Sequence, residues 1–224
     1  MDETGLNMPY IPLNADLKPM AGDLLAVDTA TWKSALGIKA CSKPNEPCYT
    51  FHGAPVCDSR PKHSLDVTIT STLNVTSPHA KLEPLYSYLA AVRMRGGKYV
   101  IARPKWVCEA EASDPHLVRE WRECINTACY MLDGQPYPMT DLWVVWKNLR
   151  ELAHLNIISE KFAVYCWQGV YKAYLLNAAR SWLPAPVIGR ELCAAIHWER
   201  SFRHGDFQLV AEHPLGFWRE ITGS

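Results

Sequence analysis

Several short segments of the chain carry the apolar patterns that are typical of β-strands. Residues 65–70 alternate between apolar and polar side chains, which is the period of two of a strand with one buried face. His63 comes just before this segment, so a rigid element would hold its imidazole. Further strands are predicted from apolar runs at residues 21–27, 73–81, 98–102 and 207–210.

Helix signals separate these strands. Residues 83–95 read as a helix that ends at Gly96-Gly97. Asp114-Pro115 opens another with a capping carboxylate and a first-turn proline, and Gly134 closes it. Further helices are predicted near residues 32–39, 141–154, 167–180 and 189–195. This mixture of local strands and separated helices predicts an α+β fold.

Composition bounds the class of protein. The chain has 224 residues, of which 48% are hydrophobic, and this suffices for the core of one domain. We predict an extended arm over residues 1–20 and a single domain over 21–224, with a Cys- and Pro-rich loop inserted at about 41–62. The 23 basic and 23 acidic residues balance, and no basic stripe appears, so nucleic acid is not expected as a partner.

The location of the protein is predicted from what the sequence lacks. The acidic N-terminus has no apolar core, so no signal peptide is expected, and no apolar run reaches the ~18–20 residues of a membrane span. Eight cysteines in a chain of this length, without a secretory signal, favour free thiols over disulfides. We therefore predict a cytoplasmic or particle-associated protein.

Cys166 stands out among the cysteines because of its local context. It follows a strand-like run, Lys161-Phe-Ala-Val-Tyr165, and precedes a long amphipathic stretch that reaches Arg180. This position is the first turn of a predicted helix. The unpaired N–H groups and the positive end of the helix dipole there favour the thiolate form, so Cys166 is the candidate nucleophile.

A nucleophilic thiol needs a base, usually an imidazole, and a third polar group that orients the base. His63 begins the alternating strand, and His79 lies near the second strand of a predicted hairpin. Neighbouring strands could bring both imidazoles to one helix terminus. Asn74 and Glu83 are alternatives to His79, and His52 is an alternative base, although Pro55 counts against the strand that His52 would need.

A zinc site is the rival interpretation of the inserted loop. Cys41, Cys48 and Cys57 lie there with His52, and His63 follows directly. The spacing Cys48-x3-His52-x4-Cys57 could suit a metal. The Cys-x2-Cys pair of most zinc fingers is missing, however, so neither a metal nor a cofactor is predicted.

The order of these elements resembles that of a known family. A Gly22-Asp23-Leu-Leu opening is followed by the strand that His63 leads. Then come a helix with Pro84-Leu-Tyr-Ser-Tyr-Leu89, a strand Lys98-Tyr-Val-Ile-Ala-Arg103 and a late Cys166 at a helix start. Over about residues 22–207 this order is similar to that of the circularly permuted papain-like hydrolases of the NlpC superfamily, the YiiX-like group in particular.

The resemblance implies a permuted papain-like fold, with a small antiparallel sheet packed against helices. It assigns Cys166 as the nucleophile, His63 as the base and His79 as the orienting residue. The implied activity is hydrolysis of an amide or ester through an acyl-enzyme, with cell-wall-type peptides as the first substrate class, acyl amides or esters as the second, and no cofactor. Trp167 and Gln168 depart from the family pattern after the cysteine. The alternative is therefore an inactive binding or structural protein with the same fold, such as a viral or phage particle component, with a zinc site in the 41–63 loop as an option.

Overall fold

The computed structural model of the chain describes residues 17–28, 51–59, 68–75, 79–135 and 195–224. Two of the predicted site residues, His63 and Cys166, lie outside these ranges. Residues 1–16 of the arm predicted over 1–20 and the helices predicted near 32–39, 141–154 and 167–180 lie outside them as well.

The described strands form one six-stranded sheet in the order β4-β3-β2-β1-β5-β6, and all neighbours in it are antiparallel. The strands are β1 Leu24–Asp28, β2 Phe51–Ser59, β3 Ile69–Val75, β4 Ala80–Pro84, β5 Lys98–Pro104 and β6 Phe207–His213. The helices are α1 Leu85–Met94, α2 Lys105–Ser113, α3 Pro115–Leu132, α4 Ala195–His204 and α5 Phe217–Thr222. The α+β class is thus confirmed.

The sheet is buried on both faces. Successive residues of β1 alternate between two hydrophobic clusters: Leu24 and Ala26 belong to one, and Leu25 and Val27 belong to the other. Residues of α2, α3, α4 and α5 complete the first cluster, which we call the cluster beneath α3. Helix α1 contributes Leu85 to the second, on the side that we call the α1 face. Each large apolar side chain buried in this way contributes about 1.5–3 kcal/mol to folding.

The Gly22-Asp23 opening has a structural purpose. Gly22 has a φ of +93°, and a Cβ atom at this position would overlap the Trp121 ring of α3. The Asp23 carboxylate accepts two hydrogen bonds from Arg103 of β5, at 2.8 Å from Nε and 3.0 Å from Nη2, and both side chains are 1% exposed. Burial alone would lower the pKa of Arg103, but its pairing with Asp23 raises it. The ion pair therefore links the residue just before β1 to strand β5.

Strand β2 corrects the prediction of a loop over residues 41–62. Pro55 lies inside this strand, which the sequence interpretation held to be unfavourable. Residues up to Pro55 are in register with β1, and Val56 still exchanges backbone hydrogen bonds with the residues just before β1. The pairing with β3 begins only at Val56. No hydrogen bond of the β3 ladder therefore needs an N–H from Pro55, and its carbonyl accepts a 3.2 Å bond from the Thr72 hydroxyl.

The two strands after β2 lie further along the chain than predicted. The alternating strand was expected at residues 65–70, but β3 covers Ile69–Val75, and residues 60–67 lie outside the described ranges. The single strand predicted over 73–81 is wrong, since β3 ends within this range and β4 begins at Ala80. Strands β1, β5 and β6 and helices α1 and α3 confirm their predictions. Helix α4 begins at Ala195, the last residue of the helix predicted near 189–195, and residues 189–194 lie outside the described ranges.

Candidate functional site

The imidazole of His52 lies on the α1 face of the sheet. Ala54 and Val56 of β2 belong to the hydrophobic cluster of this face, and His52 precedes Ala54 by two positions in the same strand. Side chains two positions apart in a strand share a face. The neighbour of His52 on β1 is the buried Val27, and His52 itself is half-buried. The strand backbone thus presents one imidazole at the start of β2.

A polar chain of three side chains begins at this imidazole. Nε2 of His52 lies 2.7 Å from Oδ1 of Asn74 on β3. Nδ2 of Asn74 in turn donates a 2.7 Å hydrogen bond to Oε2 of Glu83 on β4. The three residues lie on three adjacent strands, and all are half-buried. We call this set the His52–Asn74–Glu83 chain.

The sheet register brings these residues together. Asn74 is opposite Lys81 and Thr72 is opposite Glu83, so Asn74 and Glu83 are diagonal neighbours on one face. Leu73, the residue before Asn74 on β3, belongs to the hydrophobic cluster of the opposite face. Because side chains alternate along a strand, Asn74 lies on the α1 face. Diagonal pairs in an antiparallel sheet lie within reach of longer side chains. The contact depends on the register of three strands.

The structure places one of the three residues that the resemblance assigns to the site. His79 directly precedes β4 and is exposed. Its side chain makes no hydrogen bond or ion pair with another residue of the described ranges, and His52 is in contact with Asn74. Cys166 and His63 lie outside the described residues. The sequence interpretation had kept His52, Asn74 and Glu83 only as alternatives.

Of the residues of the zinc interpretation, His52 and Cys57 lie on opposite faces of the sheet, and Cys41, Cys48 and His63 lie outside the described residues. Cys57 is buried in the cluster beneath α3, on the face opposite to His52. There it contacts Cys129, and the hydrogen bond that the Cys129 thiol donates to Cys57, together with burial, raises the pKa of the Cys129 thiol. One ion cannot take His52 and Cys57 from opposite faces. Within the described ranges, no three His, Cys, Asp or Glu side chains are grouped as a metal would need.

Comparison of the chain with protein-family models gives no match, and comparison with curated proteins gives none either. Among the helices of the described ranges, none has the length and apolar character needed to cross a membrane.

Proposed function

We propose that this protein is a cysteine hydrolase in which Cys166 is the nucleophile, His52 the general base and Asn74 the residue that orients the base. The observation that carries the proposal is the 2.7 Å contact between His52 Nε2 and Asn74 Oδ1. An imidazole that is held by an amide oxygen from a neighbouring rigid strand is the base arrangement that a thiol nucleophile needs.

The order of the strands supports a permuted papain-like architecture as part of this proposal. The resemblance expects the Gly22-Asp23 strand to be followed by a strand that carries the base. In the six-stranded sheet β2 follows β1 in the chain and pairs with it, and β2 carries His52. His52 therefore takes the role that the sequence interpretation gave to His63, and Asn74 takes that of His79.

The reaction that follows is acyl transfer to water. His52 removes the proton of the Cys166 thiol, and the thiolate attacks the carbonyl carbon of an amide or ester. Backbone N–H groups at the start of the helix predicted after Cys166 stabilise the oxyanion. The His52 imidazolium then protonates the leaving amine or alcohol. Water, deprotonated by His52, attacks the acyl-enzyme and releases the acid and the free thiol. Peptide amides are the first substrate class and acyl amides or esters the second.

Alkylation by iodoacetamide tests this proposal without a known substrate. Cys124 is an exposed thiol on α3 and provides an internal reference in the same protein. At pH 6 an ordinary thiol, with a pKa of about 8.5, is almost fully protonated and reacts slowly. We expect Cys166 to be alkylated at pH 6 at least about tenfold faster than Cys124, as measured by peptide mass spectrometry, because its proton is already on a base.

Two outcomes of this experiment are informative against the proposal. If Cys166 reacts no faster than Cys124 across the pH range, the thiol is not activated, and the alternative of an inactive binding or structural protein takes its place. If His63→Ala slows the alkylation of Cys166 while His52→Ala leaves it unchanged, the base is His63, and the assignment of His52 is wrong.

A further inference from the structure

We infer that Glu83 is a positioning residue: through Asn74 it fixes which nitrogen of His52 carries the proton. The observation is the second hydrogen bond of the His52–Asn74–Glu83 chain, 2.7 Å from Asn74 Nδ2 to Glu83 Oε2. The consequence for catalysis rests on the proposed function. The consequence for the histidine tautomer does not depend on it.

The chemistry of the Glu83 carboxylate fixes the orientation of the Asn74 amide. An ionised carboxylate only accepts hydrogen bonds, whereas a side-chain amide has a donor end and an acceptor end. The end of Asn74 that faces Glu83 must therefore be its NH₂ group. This leaves Oδ1 as the atom that faces His52, in agreement with the 2.7 Å contact. Glu83 thus removes the twofold ambiguity of the amide.

The orientation of Asn74 in turn determines which nitrogen of His52 carries the proton. Because Oδ1 of Asn74 can only accept, Nε2 of His52 must be the donor. A neutral imidazole with its proton on Nε2 carries its lone pair on Nδ1. Nδ1 is then the nitrogen that can take a proton from a thiol. The negative charge of Glu83 at the far end of the chain also favours the imidazolium that this step creates.

Glu83 is held on a well-supported strand. Its neighbour Leu82 packs against the cluster beneath α3, and the Leu82 N–H donates a 3.0 Å bond to Asp133. Ala80 exchanges backbone hydrogen bonds of 2.8 and 2.9 Å with the turn at Gly134 and Gln135. These contacts cover the outer edge of β4, which fixes the strand that carries the carboxylate.

The test is the tautomer of His52, read by NMR from the nitrogen shifts of protein labelled with ¹⁵N-histidine. His52→Gln identifies its signals. At a pH where the imidazole is neutral, we expect wild-type His52 to carry its proton on Nε2 and not on Nδ1. In Glu83→Gln the new amide can donate as well as accept, so Asn74 can reverse, and we expect a substantial share of the Nδ1–H tautomer. Lys81→Gln, an exposed change on the same strand, is the matched control and keeps the wild-type pattern.

The alkylation rate of Cys166 gives a second readout. If His52 is the base, Glu83→Gln slows the reaction at pH 6 by roughly tenfold to a hundredfold, the range of a hydrogen bond to a charged group. An unchanged Nε2–H tautomer in Glu83→Gln overturns the inference. Should that variant not fold, an Nδ1–H tautomer in the wild type overturns it equally. A changed tautomer without any activation of wild-type Cys166 supports the role of Glu83 and contradicts the hydrolase.

Discussion

Replacing His52 by alanine is expected to slow acyl transfer by about 10²–10⁴-fold, the usual contribution of a general base. The probe is p-nitrophenyl acetate, an activated ester whose coloured leaving group reports the formation of an acyl-enzyme. The wild type should release a burst of p-nitrophenolate equal to the protein concentration. Cys166→Ala should abolish the burst, because no thioester with the enzyme can then form at this position.

The control for this experiment is another histidine of the same protein. His116 is exposed on α3 and pairs with Glu120 at 3.3 Å, away from the His52–Asn74–Glu83 chain. His116→Ala should retain the wild-type burst. A burst in His52→Ala that is as fast as in His116→Ala would contradict the role of His52. Retention of the burst in Cys166→Ala would show that another nucleophile reacts.

The second large effect is expected on stability, for Gly22→Ala. The residue has a φ of +93°, which an L side chain rarely adopts, and the new methyl group would overlap the buried Trp121 ring. Strain of this kind costs about 1–3 kcal/mol, and forced overpacking adds a similar amount. We therefore expect the free energy of unfolding in urea to fall by roughly 3–5 kcal/mol, or the protein not to fold.

Gly205 provides a matched control for the steric part of this effect. Its φ is +85°, close to that of Gly22, but a Cβ atom there would meet nothing within 4 Å. Gly205→Ala should therefore lose only the backbone contribution, about 1–2 kcal/mol. Equal losses for the two variants would mean that the Trp121 ring moves aside without cost. In that case the close packing of Trp121 against residue 22 would not be the reason that this position needs a glycine.

Local signals in the sequence predicted several elements correctly. Asp114 caps α3 as expected: its Oδ1 accepts a 3.0 Å bond from the Leu117 N–H. Gly96, at a φ of +70°, follows the end of α1 as the Gly-Gly signal indicated. The apolar run of β1 predicted a strand, because a strand buried on both faces needs no polar alternation. Each of these signals acts within a few residues of the chain.

The elements that were missed depend on distant partners or are too short for a periodic signal. β2 contains Pro55, which a central strand tolerates here because the pairing with β3 begins only at the next residue. Helix α2 buries little besides Val107, and α5 has six residues, fewer than two turns. Neither gives a pattern that stands out in the sequence.

The candidate site was only partly predictable for the same reason. His52 and Asn74 lie 22 residues apart, and Asn74 and Glu83 lie nine apart. Their contacts arise from the pairing of β3 with β4 and of β2 with β3, which no local pattern specifies. The sequence could name these residues as candidates. The contact between His52 and Asn74 required the sheet register, and His63 lies outside the described residues.

The most direct test of the central claim is one distance in an experimental structure, from Sγ of Cys166 to Nδ1 of His52. The proposed thiol–imidazole pair predicts about 3–4 Å, the separation of a nucleophile and its base in an unliganded site. A separation beyond roughly 8 Å, too long for a bridge of one water molecule, would contradict the pair.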